Sequence, residues 1–103
     1  MVNVIIYLKK EHNAKELVKY LLNEKLIASA AIDENNISYK LENSTFSEDV
    51  FSVITAQSKS LLFNQIVKAV EAKTGEDTPI NSTPIVASNR VFDDVIRAKT
   101  IPI

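Results

Sequence analysis

The sequence predicts an α+β protein: a four-stranded antiparallel sheet with two helices on one face and a short extra helix at the C-terminus. Three observations carry that prediction. Residues 17–32, LVKYLLNEKLIASAAI, pass from helical to strand-like patterning with no glycine or proline at the join. Strand and helix patterns alternate along the chain in the order β-α-β-β-α-β. The 103 residues are 46% hydrophobic and 24% charged, the composition of one ordinary globular domain able to bury a single core.

Each element has a local reason. Residues 2–8, VNVIIYL, are β-branched and aromatic and read as a buried central strand. Asn13 is placed to cap a helix, with Glu16 three residues on as a capping-box partner. Ala14, Leu17, Val18, Leu21 and Leu22 then recur at helical spacing, and the helix should end near Lys25, whose charge suits a C-terminus. Residues 27–32 are small and apolar. Asp33, Glu34, Asn35 and Asn36 interrupt them before residues 37–41 resume an extended pattern. The interruption is either a tight hairpin turn or a bulge in one long strand. Asn43, Ser44 and Thr45 signal a turn, and residues 46–57 contain a third strand, VFSVITA.

Ser58 or Ser60 can cap a second helix with Leu62, Ile66, Ala69, Val70 and the stem of Lys73 on one face. Gly75 stops it. Residues 76–83 read as a loop and residues 84–88, PIVAS, as a short fourth strand that Pro84 begins. Asn89 caps a final helix over residues 90–97, with Val91, Val95 and Ile96 as its apolar positions. This order is the ferredoxin-like split βαβ arrangement, which hosts many unrelated functions.

Composition narrows the chemistry. A net charge of −1 with interspersed signs leaves no basic footprint for nucleic acid and no polybasic membrane patch. With no cysteine, disulfides, thiolate metal sites and a cysteine nucleophile are excluded. A single glycine leaves no phosphate-cradling loop. The first apolar run is too short for a membrane segment and lacks a basic leader, so a cytoplasmic protein is expected. Other tenants of the fold fail on their motifs. The loop after the first strand reads Lys9-Lys10-Glu11-His12 and not C-x-x-C. The middle strands lack the aromatic and basic set of an RNA reader. No arginine-bearing anion loop of an acyl phosphatase is present.

The chain resembles the CutA divalent-cation-tolerance family, relatives of the PII signalling proteins. The resemblance is strongest in residues 16–32, ELVKYLLNEKLIASAAI, which looks like that family's helix running into E-(R/K)-L-(A/I)-A-C-V-N-I. Tyr39, residues 53–63, Pro79-Ile80 leading to Pro84-Ile85-Val86, and Asn89 match in order and spacing. The departures fall on polar and aromatic groups. The family's usual cysteine is Ser29, its Y-W-W-x-G segment reads Tyr39-Lys40-Leu41-Glu42-Asn43, its lysine after the third strand is Gln57, and its proline-tyrosine segment reads Gly75-Glu76-Asp77-Thr78. The resemblance implies a homotrimer with clefts between subunits. It implies binding or sensing of a divalent cation or small ligand there, and no enzyme activity. The alternative is a ligand-free structural trimer or protein-interaction scaffold. The long second and third strands give a physical motive for assembly, since exposed edges need cover. The apolar tail Ile101-Pro102-Ile103 either packs on a neighbour or frays.

Candidate site residues form two groups. His12, the only histidine, has Glu11 beside it and Glu16 a helical turn on; one imidazole with carboxylates can hold a divalent cation such as copper weakly, against the alternative of a solvated polar corner. Asp33 and Glu34 are a second acidic spot. By resemblance, Tyr39, Lys40 and Glu42 border the inter-subunit cleft, where Tyr39 can stack on a planar ligand and Lys40 or Arg90 can hold an anion. Cross-strand packing is the competing account. Arg90 and Arg97 can equally pair with Asp93 and Asp94. Ser29 reads as a small packing residue, because no base or oxyanion hole accompanies it. A Ser58–Lys59–Ser60 pairing reads better as helix capping. Phe46, Phe51, Phe63 and Phe92 read as core or interface aromatics.

Overall fold

A computed structural model describes residues 1–103. Its elements are β1 (Val2–Lys9), α1 (Ala14–Asn23), β2 (Ser29–Glu42), β3 (Thr45–Ser58), a 3-10 turn (Ser60–Leu62), α2 (Phe63–Thr74), β4 (Ile80–Pro84) and α3 (Arg90–Lys99). The strands form one sheet in the order β2-β3-β1-β4, antiparallel at every pairing. No helix is long and apolar enough to cross a membrane.

Strand alternation decides where the core sits. In β1 the even residues Val2, Val4, Ile6 and Leu8 are buried, and they pair with the buried Ser58, Ala56, Ile54 and Ser52 of β3. Leu17 and Leu21 of α1 and Ile66 and Val70 of α2 close over that face. The opposite face carries Ile5, Tyr7, Phe51 and Val53, all half-buried, with Tyr7 and Phe51 meeting edge to face at 6.4 Å.

The helix-to-strand join after α1 needs no glycine because Lys25 takes the left-handed conformation, φ 57. Leu26 N–H donates to Leu21 O and Lys25 N–H to Leu22 O, both near 3 Å. This is the Schellman closure, with buried Leu26 as its apolar contact. Ser58 does not cap the second helix. It is buried, and its hydroxyl donates to Leu26 O at 2.6 Å, fastening the end of β3 to the join.

Asp33–Asn36 is a bulge within one continuous strand rather than a hairpin turn. Asp33 accepts from Asn35 N–H at 3.4 Å and from the Asn36 amide at 3.2 Å. Those local bonds give its carboxylate a structural role, and Glu34 is held through its carbonyl by Lys10 Nζ. Both β2 and β3 have 14 residues, well beyond the usual ~5–6. The β1 ladder on β3 ends at Lys9 and Phe51, so the last part of the β2–β3 pair projects as a two-stranded arm. Asn43 and Ser44, both at positive φ, make its two-residue turn. The arm stretches the molecule to 47 × 28 × 21 Å.

Three expectations need correction. The fourth strand is Ile80–Pro84, not residues 84–88, and the stretch read as a loop supplies most of it. Pairing with β1 overrides the polar sequence: Ile80 lies opposite Ile6, Pro84 ends the ladder opposite Val2, and Tyr7 N–H donates to Pro79 O. In α3 only Ile96 is buried, while Val91 and Val95 stay exposed. The tail does not simply fray, since Ile101 N–H donates to Lys25 O, Lys59 Nζ donates to Ile101 O, and Ile101 packs on the core.

Candidate functional site

A turn and a helix stop that are distant in sequence converge on one carboxylate. At the end of β1 the chain reverses through a turn closed by His12 N–H donating to Lys9 O at 3.0 Å. That turn brings the side chains at its two ends, Lys9 and His12, together at the end of the sheet, where both reach Glu76. Asn13 then caps α1 by accepting from Glu16 N–H at 3.1 Å. On the other side, Gly75 ends α2 at φ 74, and its N–H donates to Glu71 O at 2.8 Å. The Thr74 hydroxyl lies 3.0 Å from both Val70 O and Glu76 O, fixing the residue that leaves the cap.

Glu76 is therefore delivered to the Lys9–His12 turn. Its Oε2 lies 2.6 Å from His12 Nε2, and its Oε1 accepts from Lys9 Nζ at 2.7 Å. Glu11 completes the group: one ligand atom each from Glu11, His12 and Glu76 lie within 4.8 Å of one another. The hydrogen bond with His12, and after it the one from Lys9, hold the Glu76 carboxyl below its ordinary value of 4.5. Lys9 is raised from 10.5, first by its hydrogen bond to Glu76 and next by that residue's charge. An imidazole nitrogen and two carboxylates at this spacing are a donor set that fits a divalent cation.

His12 also stands between two clefts. One, of about 370 Å³, lies between the Lys9–His12 turn and Ser52 and Glu34. The other, of about 410 Å³, follows the groove between α1 and the end of α2, where Lys73 Nζ sits 4.1 Å above the Tyr20 ring.

The sequence points to Glu11 and His12 but not to Glu76 or Lys9. Glu76 is 64 positions from His12, and its one local signal is its place directly after the only glycine. Glu16, the third residue read with His12, is not among the three clustered ligands.

The second candidate group is divided in a single chain. Tyr39, Lys40 and Glu42 lie on the arm, where Tyr39 stacks on Phe46 at 5.5 Å and 15°. Lys40 is no free anion receptor, because Nζ pairs with Glu42 at 2.9 Å and Asp49 at 3.1 Å. Those bonds raise it from 10.5. Arg90 begins α3 and lies next to Asn89 and Val91, which border Ser29 and Gln57 at the opposite end of the β2–β3 pair. Arg97 approaches Asp94 at 3.9 Å, whereas Arg90 has no ion pair. Ser29 is exposed and donates to Gln57 Oε1 at 2.6 Å, so it is a surface hydrogen-bonding group and not a packing residue. Phe46 is 70% exposed, while Phe63 packs on the core.

No protein-family model and no curated protein sequence matches the chain. Solved structures do. The divalent cation tolerance protein CutA1 of Thermus thermophilus superposes with a TM-score of 0.85 at 24% identity, over 97% of this chain and 99% of that one. CutA1 of Oryza sativa gives 0.87 at 18% identity, over 97% and 93%. The periplasmic divalent cation tolerance protein CutA of Archaeoglobus fulgidus gives 0.82 at 25% identity, over 96% and 98%. Agreement over nearly the full length of each pair leads to one conclusion: the chain has the fold of the CutA1 divalent cation tolerance proteins.

Proposed function

We propose that this chain is a CutA-type protein that binds a divalent cation and acts by binding rather than catalysis. The site we assign is Glu11, His12 and Glu76. The observation that carries the reading is their mutual spacing, three ligand atoms of suitable chemistry within 4.8 Å. The names of the structural relatives, divalent cation tolerance proteins, point the same way. Calorimetric titration with Zn²⁺ and Cu²⁺ tests it. Saturable one-site binding should weaken by about tenfold or more in His12→Ala and in Glu76→Gln, as loss of one of three ligands requires. Equal heats in all three proteins would sink the assignment.

Self-association as a homotrimer belongs to the same proposal. Two surfaces support it: the uncovered sheet face bearing Ile5, Tyr7, Phe51 and Val53, and the arm, where Tyr39, Leu41 and Phe46 are each more than half exposed. Assembly would also be the means of bringing Arg90 of one copy to the Tyr39–Glu42 arm of another, and so of forming the inter-subunit ligand cleft. The alternative, a structural trimer that holds no ligand, is favoured at that cleft by one observation, the neutralisation of Lys40 by Glu42 and Asp49. A cytoplasmic location completes the proposal; the Archaeoglobus relative is described as periplasmic, and cell fractionation decides between the two.

A further inference from the structure

Lys9 is the feature of this site that cation binding alone does not call for. A carboxylate offers a metal two oxygens, and how many it can give decides which metals it suits. Calcium takes about six to eight oxygen ligands and gains from carboxylates that bind through both atoms. Zinc and copper accept fewer ligands and favour imidazole nitrogen. Here Oε1 of Glu76 is occupied by Lys9 at 2.7 Å, while Oε2 faces the His12 nitrogen at 2.6 Å.

We infer that Lys9 is the selectivity residue of the cation site: it withholds one oxygen of Glu76 and so favours imidazole-seeking transition ions over calcium and magnesium. This rests on the cation-site reading proposed above. The other oxygen is the one hydrogen-bonded to the imidazole, so an ion entering there takes the place of the shared proton and meets the His12 nitrogen, one oxygen of Glu76 and the Glu11 carboxylate. The lysine's own charge also opposes every divalent ion, which makes the site weak by construction and sets a floor on the affinity an entering ion must bring. The position is fixed by geometry. Lys9 is the last residue of β1, paired with Phe51, and the turn closed by His12 N–H aims both residues at the same carboxylate.

The test compares Zn²⁺ and Ca²⁺ affinities by calorimetry in the wild-type protein, Lys9→Met and Lys9→Arg. In Lys9→Met, charge relief should tighten Zn²⁺ by about threefold. Calcium gains the second oxygen as well and should tighten by about thirtyfold. The preference for zinc then shrinks by roughly tenfold. Lys9→Arg, which keeps the charge and the hydrogen bond, should retain the wild-type preference. Lys9 is exposed, and circular dichroism confirms that each variant keeps its fold. If the wild type binds zinc but the zinc-to-calcium ratio is the same in Lys9→Met, the role of Lys9 is overturned and the cation site stands. If the wild type binds neither ion, the site falls and this inference with it.

Discussion

Glu76 has both oxygens committed, one to His12 and one to Lys9, and its ionisation is therefore tied to the fold. Its carboxyl is held below the ordinary 4.5, so ionised Glu76 stabilises the folded chain fully above that value. The contribution disappears as pH falls through the lowered folded value. Glu76→Gln should accordingly melt below wild type near neutral pH and converge with it in acid, measured by thermal melts across pH. The groups are only partly buried, and solvent screens them, so the gap will be small. Gly75 makes a sharper case. At φ 74 with nothing near its missing Cβ, alanine meets no clash but must adopt a left-handed backbone, costing about 1 kcal/mol. Gly75→Ala should lower the unfolding free energy by that amount in urea titration and weaken Zn²⁺ binding with it, because Glu76 leaves the same cap. Lys25 is the converse: it holds a left-handed position without being glycine, and Lys25→Gly should stabilise by about 0.5–1 kcal/mol in the same titration.

Among the elements, those with local causes are legible in the sequence and those with distant causes are not. Asn13 and Asn89 cap helices as their positions announce, and Gly75 stops α2. Burial of Leu62, Ile66 and Val70 follows from helical spacing. The fourth strand escapes a sequence reading because in INSTP the strand-favouring Ile80 and Thr83 are outnumbered by Asn81, Ser82 and Pro84, and the segment is recruited by the open edge of β1. Glu76 escapes it for a related reason, since no spacing rule links it to His12. Ser58 has a plausible local role as a cap and a different actual one. Buried at 0% exposure, it satisfies Leu26 O, and Ser58→Ala should cost about 1–3 kcal/mol by leaving that carbonyl unpaired, as equilibrium unfolding will measure.

For the whole molecule, the arm is the part a lone chain explains least well. A two-stranded ribbon is marginal in water by itself, and this one exposes Ile37, Tyr39, Leu41, Phe46 and Val50. The radius of gyration, 14.6 Å, exceeds the ~13 Å of a compact chain this long because the arm reaches past the core. Light scattering should find a mass near three times 11.5 kDa. The double variant Tyr39→Ser, Phe46→Ser should shift it toward one. A wild-type chain that runs as a monomer at every concentration would end the trimer proposal.

The bulge at Asp33–Asn36 bears on which changes of length this chain can survive. Before it, even residues of β2 such as Ala30 and Ile32 share a face with Ala56 and Ile54; after it, odd residues such as Ile37, Tyr39 and Leu41 pair with Val50, Glu48 and Phe46. The extra residue absorbs a change of phase in the sequence, leaving the apolar side chains of the arm on one face and Lys40, Glu42 and Asp49 on the other. Deleting Asn35 alone would remove the bulge while keeping every pairing from Asn36 onward, so both faces of the arm would survive. Deleting Ser38 with the bulge kept would instead invert all that follows. Length variation in β2 is thus confined by parity to one point, and an otherwise alarming single-residue gap there would be conservative.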